Sequence, residues 1–254
     1  MSKKISKNRV LFYDSGVGGL TLLGEARKSC PNIECIYFAD YLNMPLGDKP
    51  LKGIQNSIKN TIEFLVKKFG TGVVVLACNT ATSVAIKLLR EAMPQIEFVG
   101  TEPAVKKAVD LGYKRILLLA TPNTIKYNRL VRKMRAGLGE NLILCPEPRL
   151  AQIVENNVEN LTVVKRLFDE KKAEILAKKP DVMVLGCTHY VWLKGIIQKV
   201  LGLPCIDGNE GVINRLKSVA NLGKNRGKLS IYTNDVTKTE KLKIAWEILN
   251  SGGE

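Results

Sequence analysis

Cys78 directly follows the apolar run at residues 73–77, and Cys187 directly follows the one at residues 182–186. A short β-branched run of this kind reads as a buried strand, and the segment after it as a helix start. A thiol placed there is expected to lose its proton easily, because the positive end of a helix favours the thiolate. His189, the one histidine of the chain, lies two residues beyond Cys187, and imidazole is the side chain that gains or loses charge near neutral pH. The other four cysteines, Cys30, Cys35, Cys145 and Cys205, read as small buried hydrophobes. The chain has no Cys-x-x-Cys pair, which argues against both a structural zinc and dithiol redox catalysis.

Four polar clusters follow apolar runs in the same way. They are Asp14-Ser15-Gly16-Val17-Gly18-Gly19, Cys78-Asn79-Thr80, Thr121-Pro122-Asn123-Thr124 and Gly186-Cys187-Thr188-His189. In an open parallel sheet, ligands bind at the carboxyl ends of strands, where loops meet helix N-termini. The first cluster is neither Gly-x-Gly-x-x-Gly nor a Walker loop with its lysine, so it argues weakly for a nucleotide. It fits a tight strand-to-helix turn capped by Asp14 or Ser15. Asn79, Thr80, Thr121, Thr124 and Thr188 could likewise be helix caps, or could present amides and hydroxyls to a carboxylate.

The elements that must position these residues alternate along the chain. Strands are predicted at residues 10–13, 33–39, 73–77, 97–100, 115–120, 142–145, 182–186, 204–206 and 229–232, with helical patterns between most of them. Ile54, Ile58, Ile62, Leu65 and Phe69 form one face of an amphipathic helix, with Lys67, Lys68 and Gly70 as its stop signal. Helices are also expected at residues 20–28 and 237–249. This alternation specifies an α/β protein with parallel sheets covered on both faces. The segments LACNTA and LGCTHY occupy equivalent places in the two halves, as Asp14 and Thr121 do. If the chain is an internal duplication, two similar α/β units face each other, each contributing a cysteine.

Hydrophobic residues make up 45% of the 254 positions, which excludes a disordered chain. The basic start leads into no long apolar stretch and no run is long enough to span a bilayer, so a cytoplasmic protein without a membrane partner is expected. The formal charge of +15 could serve a nucleic-acid partner. No zinc finger, aromatic stacking motif or recognition helix accompanies it, and a solvated lysine-rich surface accounts for it.

Taken in series, VLFYDSGVGGL, YFADYLNMPLGD, VVVLACNTATSVA, Glu102-Pro103-Ala104-Val105, LLATPNTIK and VMVLGCTHY resemble the glutamate racemases of the aspartate/glutamate racemase superfamily. The likeness runs from Val10 to about Leu249. It implies two similar parallel-sheet α/β domains related by a pseudo-two-fold axis, at residues 1–100 plus 208–254 and at 101–207, with the active site at their interface. It implies racemisation of glutamate without a cofactor or metal, the D-glutamate serving peptidoglycan synthesis. Cys78 and Cys187 would be the two bases, Asp14 assisting Cys78, and His189 with Glu155 assisting Cys187. Asp14, Ser15, Leu46, Gly47, Asn79, Thr80, Thr121, Thr124 and Thr188 would line the substrate. A homodimer is left open.

The chain also departs from that pattern. Leu46 stands where the family has tyrosine, Val191 and Trp192 replace proline and leucine, and Asp207-Gly208-Asn209 replaces Asp-Ser-Gly. The stretch from Cys145 to Glu155 is longer than usual. Two rivals therefore stay open: a racemase of another small acid such as aspartate, and a basic nucleic-acid-binding protein with inert cysteines.

Overall fold

The computed structural model describes residues 4–43 and 50–251. Its strands are β1 (Ser6–Asp14), β2 (Glu34–Ala39), β3 (Thr71–Leu76), β4 (Glu97–Gly100), β5 (Ile116–Ala120), β6 (Leu142–Pro146), β7 (Val182–Gly186), β8 (Cys205–Asp207) and β9 (Leu229–Thr233). The helices are α1 (Leu20–Ser29), α2 (Leu51–Phe69), α3 (Asn79–Ala92), α4 (Val105–Asp110), α5 (Pro122–Tyr127), α6 (Arg129–Leu138) and α7 (Leu150–Asn156). They continue with α8 (Thr162–Ala177), α9 (Thr188–Val191), α10 (Lys194–Leu201), α11 (Asn209–Val219) and α12 (Thr239–Ser251).

The strands form two all-parallel sheets, so the protein has two parallel-sheet α/β domains. One sheet runs β4-β3-β1-β2-β9 and the other, read in the same sense, β8-β7-β5-β6. Placing β5 on β1 puts β6 on β2, β7 on β3 and β8 on β4, so the two sheets share one wiring and β9 is an added edge. Cys78 follows β3 and Cys187 follows β7, in equivalent places.

Alternate residues of each central strand face opposite layers, as the pleat requires. Val10 and Phe12 join one core and Leu11 and Tyr13 another, while Leu117 and Leu119 are split from Ile116 and Leu118 in the same way. The predicted face of α2 is fully buried, and Gly70 ends that helix in the left-handed conformation (φ 65°, ψ 38°) that glycine adopts without strain.

Differences from the expected elements are local. β1 begins four residues early, because Ser6 pairs with Thr71 across an irregularity in the ladder. The last helix starts later, since the Asp235 side chain accepts the Thr237 N–H and folds residues 236–238 into a 3₁₀ turn first. Cys145, on edge strand β6, is partly rather than fully buried; the other three structural cysteines are buried. Lys165–Asp169 and Lys178–Glu174 pair across turns at the surface of α8, in keeping with a solvated charged face. No helix among the described residues is long and apolar enough to cross a membrane.

Candidate active site

The carboxyl ends of the two sheets bring the polar clusters together. Asp14 ends β1, and its Oδ1 accepts the Gly16 N–H at 2.8 Å, which closes the turn. Its Oδ2 accepts the Thr188 hydroxyl at 3.1 Å, across to the other domain. Neither Asp14 nor Ser15 caps α1, whose N-cap is Gly19 with no side-chain bond. Ser15 reaches Cys78 instead (Oγ to Sγ 3.8 Å). Cys78 is itself the N-cap of α3, its sulfur accepting the Ala81 N–H at 3.5 Å.

On the Cys187 side, Nε2 of His189 lies 2.8 Å from Oε2 of Glu155, and the same oxygen accepts the Val17 N–H at 2.9 Å. Tyr41 donates to the other oxygen, Oε1, at 2.6 Å. α7 thus brings Glu155 beside His189, although its position is the hardest to align in the sequence. A hydroxyl cluster bridges the domains further along: Thr80 lies 3.0 Å from Thr121 and 3.4 Å from Thr124, with Thr121 and Thr124 2.9 Å apart. Thr121 also caps α5. Asn79 turns its amide to the Thr101 carbonyl just after β4 at 3.2 Å. Leu46 and Gly47 lie outside the described residues.

The thiols and the acidic and imidazole groups beside them are buried. Cys78 and Cys187 are 6% and 7% exposed, His189 and Glu155 2% and 3%, and Asp14 not at all. Burial decides the electrostatics of the first thiol. The helix start was expected to favour the Cys78 thiolate, but burial, with the Asp14 charge added, pushes this thiol up to about 12. The Ala81 N–H and Ser15 only partly offset that. Burial also raises Asp14, against the lowering effects of the His189 charge and its two hydrogen bonds. For His189, burial works toward the neutral ring, yet hydrogen bonding and charge from Cys187 and Glu155 hold it well above its ordinary value of 6.5. Glu155 is lowered from 4.5: burial opposes this, and the bonds from His189, Tyr41 and Val17 outweigh it. The site thus holds a protonated thiol near a carboxylate on one side, and an imidazolium against a second thiol on the other.

The sequence profile of the Asp/Glu/Hydantoin racemase family matches residues 25–216. A curated glutamate racemase from Clostridium novyi is 37% identical over 96% of this chain and 98% of its own length. The chain belongs to the glutamate racemase family. A solved glutamate racemase from Francisella tularensis, in complex with D-glutamate, is 25% identical with a TM-score of 0.78, covering 96% of this chain and 94% of that one. Another, the Escherichia coli glutamate racemase in complex with L-glutamate and the activator UDP-MurNAc-ala, is 27% identical with a TM-score of 0.78, covering 97% and 96%.

Against that family frame, sequence reasoning missed three parts of this racemase site. Tyr41 lies inside one of the motifs that carry the resemblance, but nothing in its spacing marks it as a partner of Glu155. The backbone N–H of Val17 has no sequence signal at all. Lys241, from α12, donates to the Glu155 carbonyl at 2.8 Å and stands 3.9 Å from Oε1.

Proposed function

We propose that the protein interconverts L- and D-glutamate without a cofactor, passing the α-proton through Cys78 and Cys187. The observation that carries this reading is the placement of the two thiols at equivalent strand ends of two like-wired sheets. Each has its own ionisable helper in one buried site. Inverting a stereocentre needs a base on one face and an acid on the other, and mirrored halves supply that geometry. Removing an α-proton without an electron sink is difficult, and a dry site aimed at the developing anion lowers that barrier.

Family resemblance gives each thiol its direction: Cys187 removes the proton of L-glutamate and Cys78 completes D-glutamate. Cys78, held as a thiol by burial and the Asp14 charge, is loaded to deliver that proton. In the reverse run Cys187 holds the proton to be delivered, and the Cys78 proton passes to the Asp14 carboxylate so that Cys78 acts as the base. Ser15, Asn79, Thr80, Thr121, Thr124 and Thr188 hold the carboxylates and amine, and the resemblance adds Leu46 and Gly47, outside the described residues, to the substrate-binding set. The two domains comprise residues 1–100 plus 208–254 and residues 101–207, and the D-glutamate goes to peptidoglycan.

The test is racemisation in D₂O, followed by proton NMR of Cα–H and by circular dichroism. Product made early should carry deuterium while the remaining substrate does not, and Cys78→Ala and Cys187→Ala should each abolish racemisation. Protonated product, or full activity in either alanine variant, would remove the two-thiol assignment. Aspartate turned over in preference to glutamate would correct the substrate alone.

A further inference from the structure

We infer that Tyr41 is a positioning residue for the Cys187 side of the reaction, its phenol fixing the Glu155 carboxylate in the orientation that bonds His189. The inference rests on the two-thiol reading only in regarding Cys187 as a base.

Glu155 sits in the last turn of α7, where a negative charge opposes the helix dipole, so donors from other elements must hold it. Oε2 takes two, the Val17 N–H and His189. These fix one oxygen but leave the carboxylate able to turn about it. Lys241 directs its hydrogen bond to the Glu155 backbone carbonyl and stays 3.9 Å from Oε1. Among the described residues, the Tyr41 hydroxyl is then the hydrogen-bond donor to Oε1, at 2.6 Å, a short charge-assisted bond. With both oxygens engaged, the carboxylate plane is set and Oε2 stays on His189.

Tyr41 is itself anchored. It opens a single 3₁₀ turn after Asp40, and the buried Asp40 carboxylate accepts Tyr13 at 2.5 Å, Asn43 at 2.8 Å and Asn234 at 2.6 Å. Burial and the Glu155 charge push the Tyr41 phenol up, so it remains a donor throughout the working pH range. The charged and titratable groups facing the Glu155–His189 pair are Asp14, Tyr37, Tyr41, Cys187 and Lys241. Of these, Tyr41 hydrogen-bonds the Glu155 carboxylate without touching His189, whereas Lys241 bonds the backbone carbonyl, which makes Tyr41 the clean handle.

The chain has one histidine, so protein labelled with ¹⁵N-histidine reports one imidazole by NMR. In the wild type the His189 imidazolium should persist well above pH 6.5. Tyr41→Phe keeps the ring and deletes the hydroxyl. Its His189 midpoint should fall by about one pH unit, and kcat by about tenfold, one unit being a tenfold change in proton affinity. KM should stay within about twofold. A role in packing alone predicts a normal midpoint in Tyr41→Phe, and that result would overturn the inference, as would a lowered midpoint with unchanged kcat. Should Tyr41→Phe fold poorly, Tyr41→Leu gives the same titration test, with the same lowering expected and a normal midpoint again overturning it. Absence of glutamate racemisation in the wild type would count against the proposed function, while the titration still judges the hold of Tyr41 on Glu155.

Discussion

Glu155 and His189 show how a buried ion pair gives the racemase site a pH signature. Glu155 is lowered from 4.5, so its contribution to stability is present above that pH and is lost as pH falls through its depressed value. His189 is raised, so its contribution is complete below 6.5 and is lost as pH rises through a value well above that. Both are in full force between pH 4.5 and 6.5. Glu155→Gln leaves the imidazolium without its carboxylate, and breaking a buried pair costs about 3 kcal/mol or more. The gap in Tm between wild type and Glu155→Gln should be widest in that window and narrow on both sides. A gap independent of pH would mean that the pair is not charged in the folded protein.

At the scale of elements, the loop from β1 to α1 is rich in glycine for a reason other than turning. Gly16, Gly18 and Gly19 are not among the glycines with positive φ, which among the described residues are Gly70, Gly112, Gly139 and Gly202. What the loop needs is room. A Cβ on Gly18 would stand 2.5 Å from Nδ1 of His189, 2.7 Å from Oγ1 of Thr188 and 2.8 Å from the His189 backbone nitrogen. A Cβ on Gly16 would collide with the Glu155 carboxylate. These glycines let the first domain lie directly against the Glu155–His189 pair of the second. Gly18→Ala should therefore push α9 away and lower kcat by about 10²-fold, on the order of what misplacing a reacting group by 1 Å costs, while the thermal transition changes little. Activity within twofold of wild type would show that the two domains can separate here without penalty.

For the whole molecule, the burial of both thiols predicts that the two domains part to admit substrate and close over it. Closure is held by the Thr188–Asp14 and Glu155–Val17 bonds inside the site, and by Asn128 donating to Ser83 at 3.2 Å beyond it. Ser83→Ala removes the outer contact and leaves the cap that Asn128 provides to α6 intact. A neutral hydrogen bond is worth about 1 kcal/mol, so KM should rise about fivefold, because less of the protein occupies the closed form, with kcat not lowered. Steady-state polarimetry reads both, and an unchanged KM would remove this contact from the closing set.

Local patterning was enough to specify the strands, α2 with its glycine stop, the parallel α/β class and the strand-end positions of Asp14, Cys78, Thr121 and Cys187. Each of those rests on periodicity and on which residues tolerate burial, properties carried by a few neighbouring side chains. The resemblance added the roles of the two thiols and selected Glu155. Only the tertiary structure decided what those groups meet. It shows the shared wiring of the two sheets, the pairing of Glu155 with His189 and Tyr41, and the reach of Lys241 from the far end of the chain. It also reverses the expectation for Cys78: the helix-end effect is local, whereas desolvation and the Asp14 charge come from the closed interface, and at full burial they dominate.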